Sequence, residues 1–271
     1  MINQLGIYTF RGLTMKLLKR LLPLALLGAV SVNTHAIPVD LELSLVIDVS
    51  GSVNASEYNL QMDGYANAFR SNTVQDAILG GTVGSIAVNS IFFSSSASEG
   101  IGFTLLDSAA AINSFADVLD NFARPFSGGT TIASGLNLSV PSFGDETGGV
   151  ANGFESARQV IDVSGDGQSN ILSTQAARDN ALAAGIDAIN GIAIEFNDTS
   201  TTITDFYRDN VIGGTGSFVE TAAGFASFQD AITRKLFREI SNPNPVSEPS
   251  TLVLLSLGLF GLAFARRRKH S

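Results

Sequence analysis

Three short segments of the chain carry side chains whose types and spacing suit cation chemistry. The first reads Asp48-Val49-Ser50-Gly51-Ser52, one carboxylate and two hydroxyls on a single turn. Gly51 lets the backbone turn sharply, so Ser50 and Ser52 can direct their oxygens at one point. The second, Ser127-Gly128-Gly129-Thr130-Thr131, offers a further hydroxyl from Thr130 or Thr131. The third, Ser164-Gly165-Asp166-Gly167, offers a second carboxylate. Oxygen-only donors with few charges suit a hard divalent cation, with Mg²⁺ the first expectation and Mn²⁺ or Ca²⁺ the others. Taken singly, Ser and Asp are ordinary turn residues; only the joint set points to a site.

The absent side chains narrow the chemistry further. Both histidines, His35 and His270, lie in the terminal segments, and the chain has no cysteine. The body between those segments is therefore closed to Ser-His-Asp and Cys-His catalysis, to His or thiolate zinc sites and to disulfides.

The elements that must position the donors alternate between strand and helix. Leu41–Val49 is an apolar run that ends in the Asp-Val-Ser-Gly-Ser turn. Tyr58, Met62, Tyr65 and Phe69 recur at helical spacing over residues 55–70. Ser85–Ser94 reads as a second strand, with Ser98–Leu105 an edge hairpin beside it. Ile112, Phe115, Leu119 and Phe122 mark another helix. The glycine-rich loop then leads into a short helix near 132–140, and Phe143–Gly153 reads as loop. Arg158–Val163 is a strand, Ser173–Ala184 a helix stopped by Gly185, and Asp187–Phe196 a buried strand. A helix near 201–211, a short strand at Ser217–Val219, and a helix on Phe225, Phe228, Ile232, Leu236 and Ile240 complete the body. This order predicts an α/β fold, a doubly wound, mostly parallel central sheet with helices on both faces. In such sheets ligands bind beyond the carboxyl ends of the strands, where all three segments fall.

One ambiguity concerns the second acid. Ile161-Asp162-Val163-Ser164-Gly165 repeats Ile47-Asp48-Val49-Ser50-Gly51, which makes Asp162 a rival to Asp166. Asp162 falls inside the strand and Asp166 on the loop past it, so Asp166 is preferred.

Charge is distributed unevenly. The chain has 16 basic and 25 acidic residues, a net of −9, but eight of the basic residues stand in the terminal segments. Residues 37–248 retain 8 basic and 25 acidic side chains, net −17. Such a body is repelled by phosphate backbones, which argues against nucleic-acid partners. Residues 1–36 end in a basic stretch, an apolar run from Leu21 to Val30 and a small-residue site at Ala36, the order of a secretory signal, with Met15 a candidate true start. At the other end, residues 242–250 form a Pro-rich linker. Thr251–Ala265 is a 15-residue apolar transmembrane segment, shorter than the roughly 20 residues of a comfortable span, and residues 266–271 form a basic cytoplasmic end. Membrane contact is expected only through these terminal segments.

The three donor segments in this order resemble the metal-ion-dependent adhesion site (MIDAS) of von Willebrand factor type A (VWA) domains, across residues 37–241. The resemblance implies metal-site roles for Asp48, Ser50, Ser52, Thr130 and Asp166, with Thr131 left as a helix cap. It also implies a coordination position open to a carboxylate from a partner. The tail resembles the PEP-CTERM sorting signal: Ser247-Glu248-Pro249 keeps the acid and second proline of its motif, Glu248 and Pro249, and lacks the first proline. That likeness implies recognition by an exosortase-type membrane protease and a Gram-negative envelope or extracellular destination.

The expected function is an exported, non-enzymatic binding module that grips a protein or matrix partner through a bridged divalent ion. The alternative is a Mg²⁺-dependent phosphoryl-transfer enzyme with Asp48 as nucleophile. It would need an acid where Ser50 stands and a cation for phosphate, and no lysine lies between residues 21 and 234. A third reading is a structural matrix protein in which the metal only stabilises the fold.

Overall fold

The computed structural model describes residues 36–241. The expected signal, linker, apolar tail segment and basic end lie outside these residues. Among the described residues no helix is long and apolar enough to cross a membrane.

The elements, in chain order, begin with β1 (Ile37–Val39), β2 (Glu42–Asp48), α1 (Ala55–Arg70), α2 (Asn72–Leu79), β3 (Ile86–Phe93), β4 (Ala97–Leu106) and α3 (Ala109–Asp120). After them come α4 (Ile132–Ser139), a 3₁₀ segment (Val140–Thr147), β5 (Phe154–Ser156), β6 (Gln159–Gly165), α5 (Ile171–Ala183) and β7 (Ala188–Ile194). The chain continues through α6 (Thr202–Phe206), a π-helical turn (Tyr207–Val211), β8 (Gly213–Gly214), β9 (Val219–Ala222), a 3₁₀ turn (Phe225–Ser227) and α7 (Phe228–Ser241). The main sheet runs β4-β3-β2-β6-β7-β8, with β9 also on β7. Its centre is parallel, β3 to β2 to β6 to β7 to β9, and only β4 and β8 are antiparallel. The doubly wound α/β reading is therefore the observed fold.

Every residue of β2, β3, β6 and β7 is buried, as expected for strands covered by helices on both faces. Strand alternation then divides the core in two. Leu43, Leu45 and Ile47 pack with α1, α3 and α7 through Tyr65, Phe69, Phe115, Phe228 and Leu236. Val46, Ile161, Val163 and Ile189 pack on the other face with Leu136, Ala177, Phe206 and Tyr207. Helix α1 starts where the first donor segment ends because Asn54 builds a capping box: its side chain accepts from the Ser56 and Glu57 amides, and Glu57 accepts from the Asn54 amide.

Several local expectations shift. Helix α2 has only Val74 and Ile78 buried, too few positions to show periodicity in the sequence. The expected helix over 201–211 breaks at Tyr207 into a π turn. The strand expected at Ser217–Val219 lies later, at Val219–Ala222, because its register is set by pairing with Gly191–Ile194. The loop from Phe143 begins inside a 3₁₀ segment, and β1 and β5 form a separate two-stranded parallel sheet.

Candidate metal centre

The five expected donors converge at the carboxyl edge of the sheet. Asp48 closes β2 and is fully buried; the Ser50 amide donates to its Oδ1 at 2.7 Å. Ser50 Oγ lies 3.1 Å from Ser52 Oγ and accepts from Thr130 Oγ1 at 3.1 Å. Ser52 Oγ donates to Asp166 Oδ1 at 2.7 Å, joining segments 114 residues apart. Loops after β2, before α4 and after β6 thus present two carboxylates and three hydroxyls to one another.

Neighbouring groups hold these loops in place. Arg124 donates to the carbonyls of Val49 and Ser50, both at 2.7 Å, and Gln61 Nε2 donates to the Asp48 carbonyl. The Gly51 amide donates to the Gly128 carbonyl, pinning the first loop to the second. The Gly129 amide donates to Ser95 Oγ, and a Cβ on Gly128 would lie 2.7 Å from that same oxygen. The close approach therefore requires glycine. Thr131 occupies the cap position of α4 but makes no side-chain cap bond; Ser169 Oγ instead accepts from the Ile132 amide and donates to the Thr130 carbonyl. The cap comes across from the β6–α5 loop and ties the second and third donor segments together.

The electrostatics are those of a site with more carboxylate than its surroundings neutralise. Burial pushes Asp48 up to about 7, against the pull of its Ser50 hydrogen bonds. Burial also raises Asp166, with Ser52 opposing it and Glu57 adding to it. Asp48 Oδ2 is buried without any hydrogen-bond partner, a costly condition for a charged oxygen. A hard cation suits this donor set: all oxygen, two acids, three hydroxyls, and one acid oxygen unspent. Among the described residues no group of three acid, His or Cys side chains gathers to hold a metal, so hydroxyls would have to share the coordination.

Asp162 is on the other face. Leu45 pairs with Asp162 and Ile47 with Ser164, so the two Ile-Asp-Val-Ser-Gly segments are offset by three positions. An odd offset sends the two aspartates to opposite faces of the sheet. Asp162 lies 2.6 Å from Lys235 Nζ beneath α7, and Lys235 also contacts Glu239 at 2.5 Å, all three fully buried. The supporting groups Arg124, Ser95, Ser169 and Gln61 carry no local motif. Arg124 alone had a signal, as one of eight basic residues in an acidic body.

A family described as "Protein of unknown function (DUF1194)" matches residues 38–244. The chain is a DUF1194 protein. Residues 245–269 of this DUF1194 chain match the PEP-CTERM protein-sorting motif, which indicates export. No curated protein sequence matches it. Its fold is that of VWA domains. It is similar to proximal thread matrix protein 1 from the mussel byssus, at 16% identity and TM-score 0.53 over 76% of this chain and 49% of that one. It is similar also to the pilus adhesin SpaC from Lactobacillus rhamnosus GG, at 15% identity and TM-score 0.53 over 76% of this chain and 31% of that one. A von Willebrand factor type A structure from Catenulispora acidiphila matches at 12% identity and TM-score 0.50, covering 75% and 43% of the two chains. The DUF1194 chain spans about half the length of the first of these or less.

Proposed function

We propose that this protein is an exported VWA-type binding module whose metal-ion-dependent adhesion site, Asp48, Ser50, Ser52, Thr130 and Asp166, holds a divalent cation and through it a carboxylate-bearing protein or matrix partner. The observation that carries this reading is the hydrogen-bonded chain of oxygen donors from three loops, Thr130, Ser50, Ser52 and Asp166, beside Asp48, whose Oδ2 is buried without a partner. When bound, the cation supplies an electrophilic centre for an outside oxygen. Mg²⁺ is the proposed ion, with Mn²⁺ and Ca²⁺ as alternatives. The chain's own part is to hold the hydroxyls in register, through Arg124 and the Gly51–Gly128 bond. Three of the five donors are neutral hydroxyls, so a divalent ion keeps electrophilicity that a partner carboxylate can satisfy. Similar folds in a byssus thread matrix protein and a pilus adhesin support a binding or structural role over catalysis.

The phosphoryl-transfer alternative finds little to work with. The one lysine of residues 36–241 is Lys235, buried against Asp162 and Glu239. Arg124, the basic group beside Asp48, donates through one guanidinium nitrogen to two backbone carbonyls and Ser127. Lys235 is not free to receive a phosphate. The proposed organisation is a signal at 1–36, the VWA domain at 37–241, a linker at 242–250, a membrane segment at 251–265 and a cytoplasmic end at 266–271. Glu248 and Pro249 belong to the sorting motif read by an exosortase-type protease.

The test is capture of envelope or matrix components by the native protein, with Asp48→Ala and with EDTA. Loss of capture in both is the expected result. Capture that survives both overturns the metal-bridged reading, and metal-dependent phosphatase turnover would replace it with the enzymatic one.

A further inference from the structure

Behind the donor loops stands a second buried oxygen without a partner, the hydroxyl of Tyr207. It shares its position with the first. A Cβ on Gly165 would lie 2.7 Å from Asp48 Oδ2 and 2.7 Å from Tyr207 Oη alike, so both atoms rest against that one α-carbon. The ring reaches it by crossing Gly191 on β7, where a Cβ would lie 2.7 Å from Tyr207 Cδ1. Two glycines on adjacent strands thus clear a trough that leads a phenol to the back of the metal centre. The tyrosine opens the π turn, whose Ile212 amide donates to the Tyr207 carbonyl five residues back, and π turns recur where a fold serves a site.

Buried tyrosine hydroxyls normally find a partner, and leaving one unsatisfied is costly. Here each orphan is the other's complement, a donor and an acceptor. Both oxygens lie 2.7 Å from one point over Gly165, a spacing that one bridging water can span.

We propose that Tyr207 is the positioning residue of the metal centre: its hydroxyl, set beside Asp48 Oδ2 over Gly165, donates to that carboxylate directly or through one water and orients it for the cation. The proposal rests on the metal-centre reading above. Metal sites commonly depend on such supporting hydrogen bonds, and their loss typically weakens metal binding 10–100-fold.

The chain has four tyrosines and no tryptophan, so its ultraviolet emission reports on tyrosine alone. The experiment titrates Mg²⁺ into the full-length protein and its Tyr207→Phe and Tyr65→Phe variants, reading affinity by calorimetry and tyrosine emission in parallel. Tyr65 is the control, because its hydroxyl is also buried and unpartnered but lies among Asp162, Ser164 and Glu239. The expected result is roughly 10-fold or greater weakening in Tyr207→Phe, loss of the metal-induced emission change in that variant alone, and an unchanged or raised Tm. A Tyr207→Phe protein that binds Mg²⁺ as wild type does, within about 2-fold, overturns the proposal and leaves the metal centre standing. A wild-type protein that binds neither Mg²⁺ nor Mn²⁺ overturns the metal centre, and this proposal with it.

Discussion

Replacing Lys235 by methionine removes the one cation from a buried cluster and keeps most of its hydrocarbon stem. In the intact cluster Lys235 Nζ sits 2.6 Å from Asp162 Oδ1 and 2.5 Å from Glu239 Oε1, all three side chains being closed to solvent. Two acids and one base cannot all be charged there without a net buried charge. Burial first, with Asp162 adding to it and Lys235 opposing it, lifts Glu239 to about 7. Asp162, raised by burial, keeps Lys235 as its counter-charge. Without the lysine, Asp162 must take a proton to stay inside. Holding that proton at pH 7 on an acid of ordinary value 3.8 costs 1.36 kcal/mol per pH unit, about 4 kcal/mol as an upper figure, in the ~3–5 kcal/mol range for a broken buried pair. At pH 5 the same cost is roughly 1.6 kcal/mol. The sign follows from proton binding: above pH 3.8 the folded variant holds a proton that its unfolded chain has released, so stability falls as pH rises. Glu239 gives the wild type a weaker trend of the same sign, its contribution present below 4.5 and lost as pH rises through about 7. Urea unfolding followed by far-UV circular dichroism at pH 5 and pH 7 measures both. The destabilisation should at least halve at pH 5, and Asp162→Asn added to Lys235→Met should recover most of it. An equal loss at both pH values, or one under about 1 kcal/mol at pH 7, refutes the reasoning.

Three further outcomes follow from the site. Arg124→Ala leaves the Val49 and Ser50 carbonyls without their donor and should lower stability by about 1.5–3 kcal/mol while weakening Mg²⁺ binding, both read by thermal melts with and without the ion. Gly165→Ala brings a methyl to 2.7 Å of Asp48 Oδ2 and Tyr207 Oη; it should abolish Mg²⁺ binding in calorimetry while far-UV circular dichroism remains near wild type. Saturating Mg²⁺ at 100 times its Kd should stabilise the wild type by about 2.7 kcal/mol against EDTA, and Asp48→Ala should show no such shift in the same denaturant titration.

Much of this was legible before any coordinates. Asp48, Ser50 and Ser52 lie within one turn, so their convergence is a local property of the chain. Thr130 and Asp166 could be placed near them because strands in a parallel sheet end on a common edge, which makes loop position a surrogate for proximity. Arg124, Ser95 and Ser169 gave no comparable signal, because their partners are backbone groups that any residue type supplies. The cap of α4 misled for the same reason: Thr131 has the right type and place, yet the hydrogen bond comes from Ser169 across the loops.

Composition and pattern by themselves determined the fold class, an acidic body without His or Cys, a C-terminal tail of sorting type, and which oxygen-bearing side chains end at one edge of the sheet. These depend on periodicity and residue type, which are read along the chain. Tertiary structure decided what the buried ionisable and polar groups do. It sent Asp48 and Asp162, embedded in identical pentapeptides, to opposite faces through a three-position register offset. It brought Lys235 to Asp162 across 73 residues and Tyr207 to the back of Asp48 across 159. Pairings at such separations are set by strand register and helix packing, which no local pattern encodes.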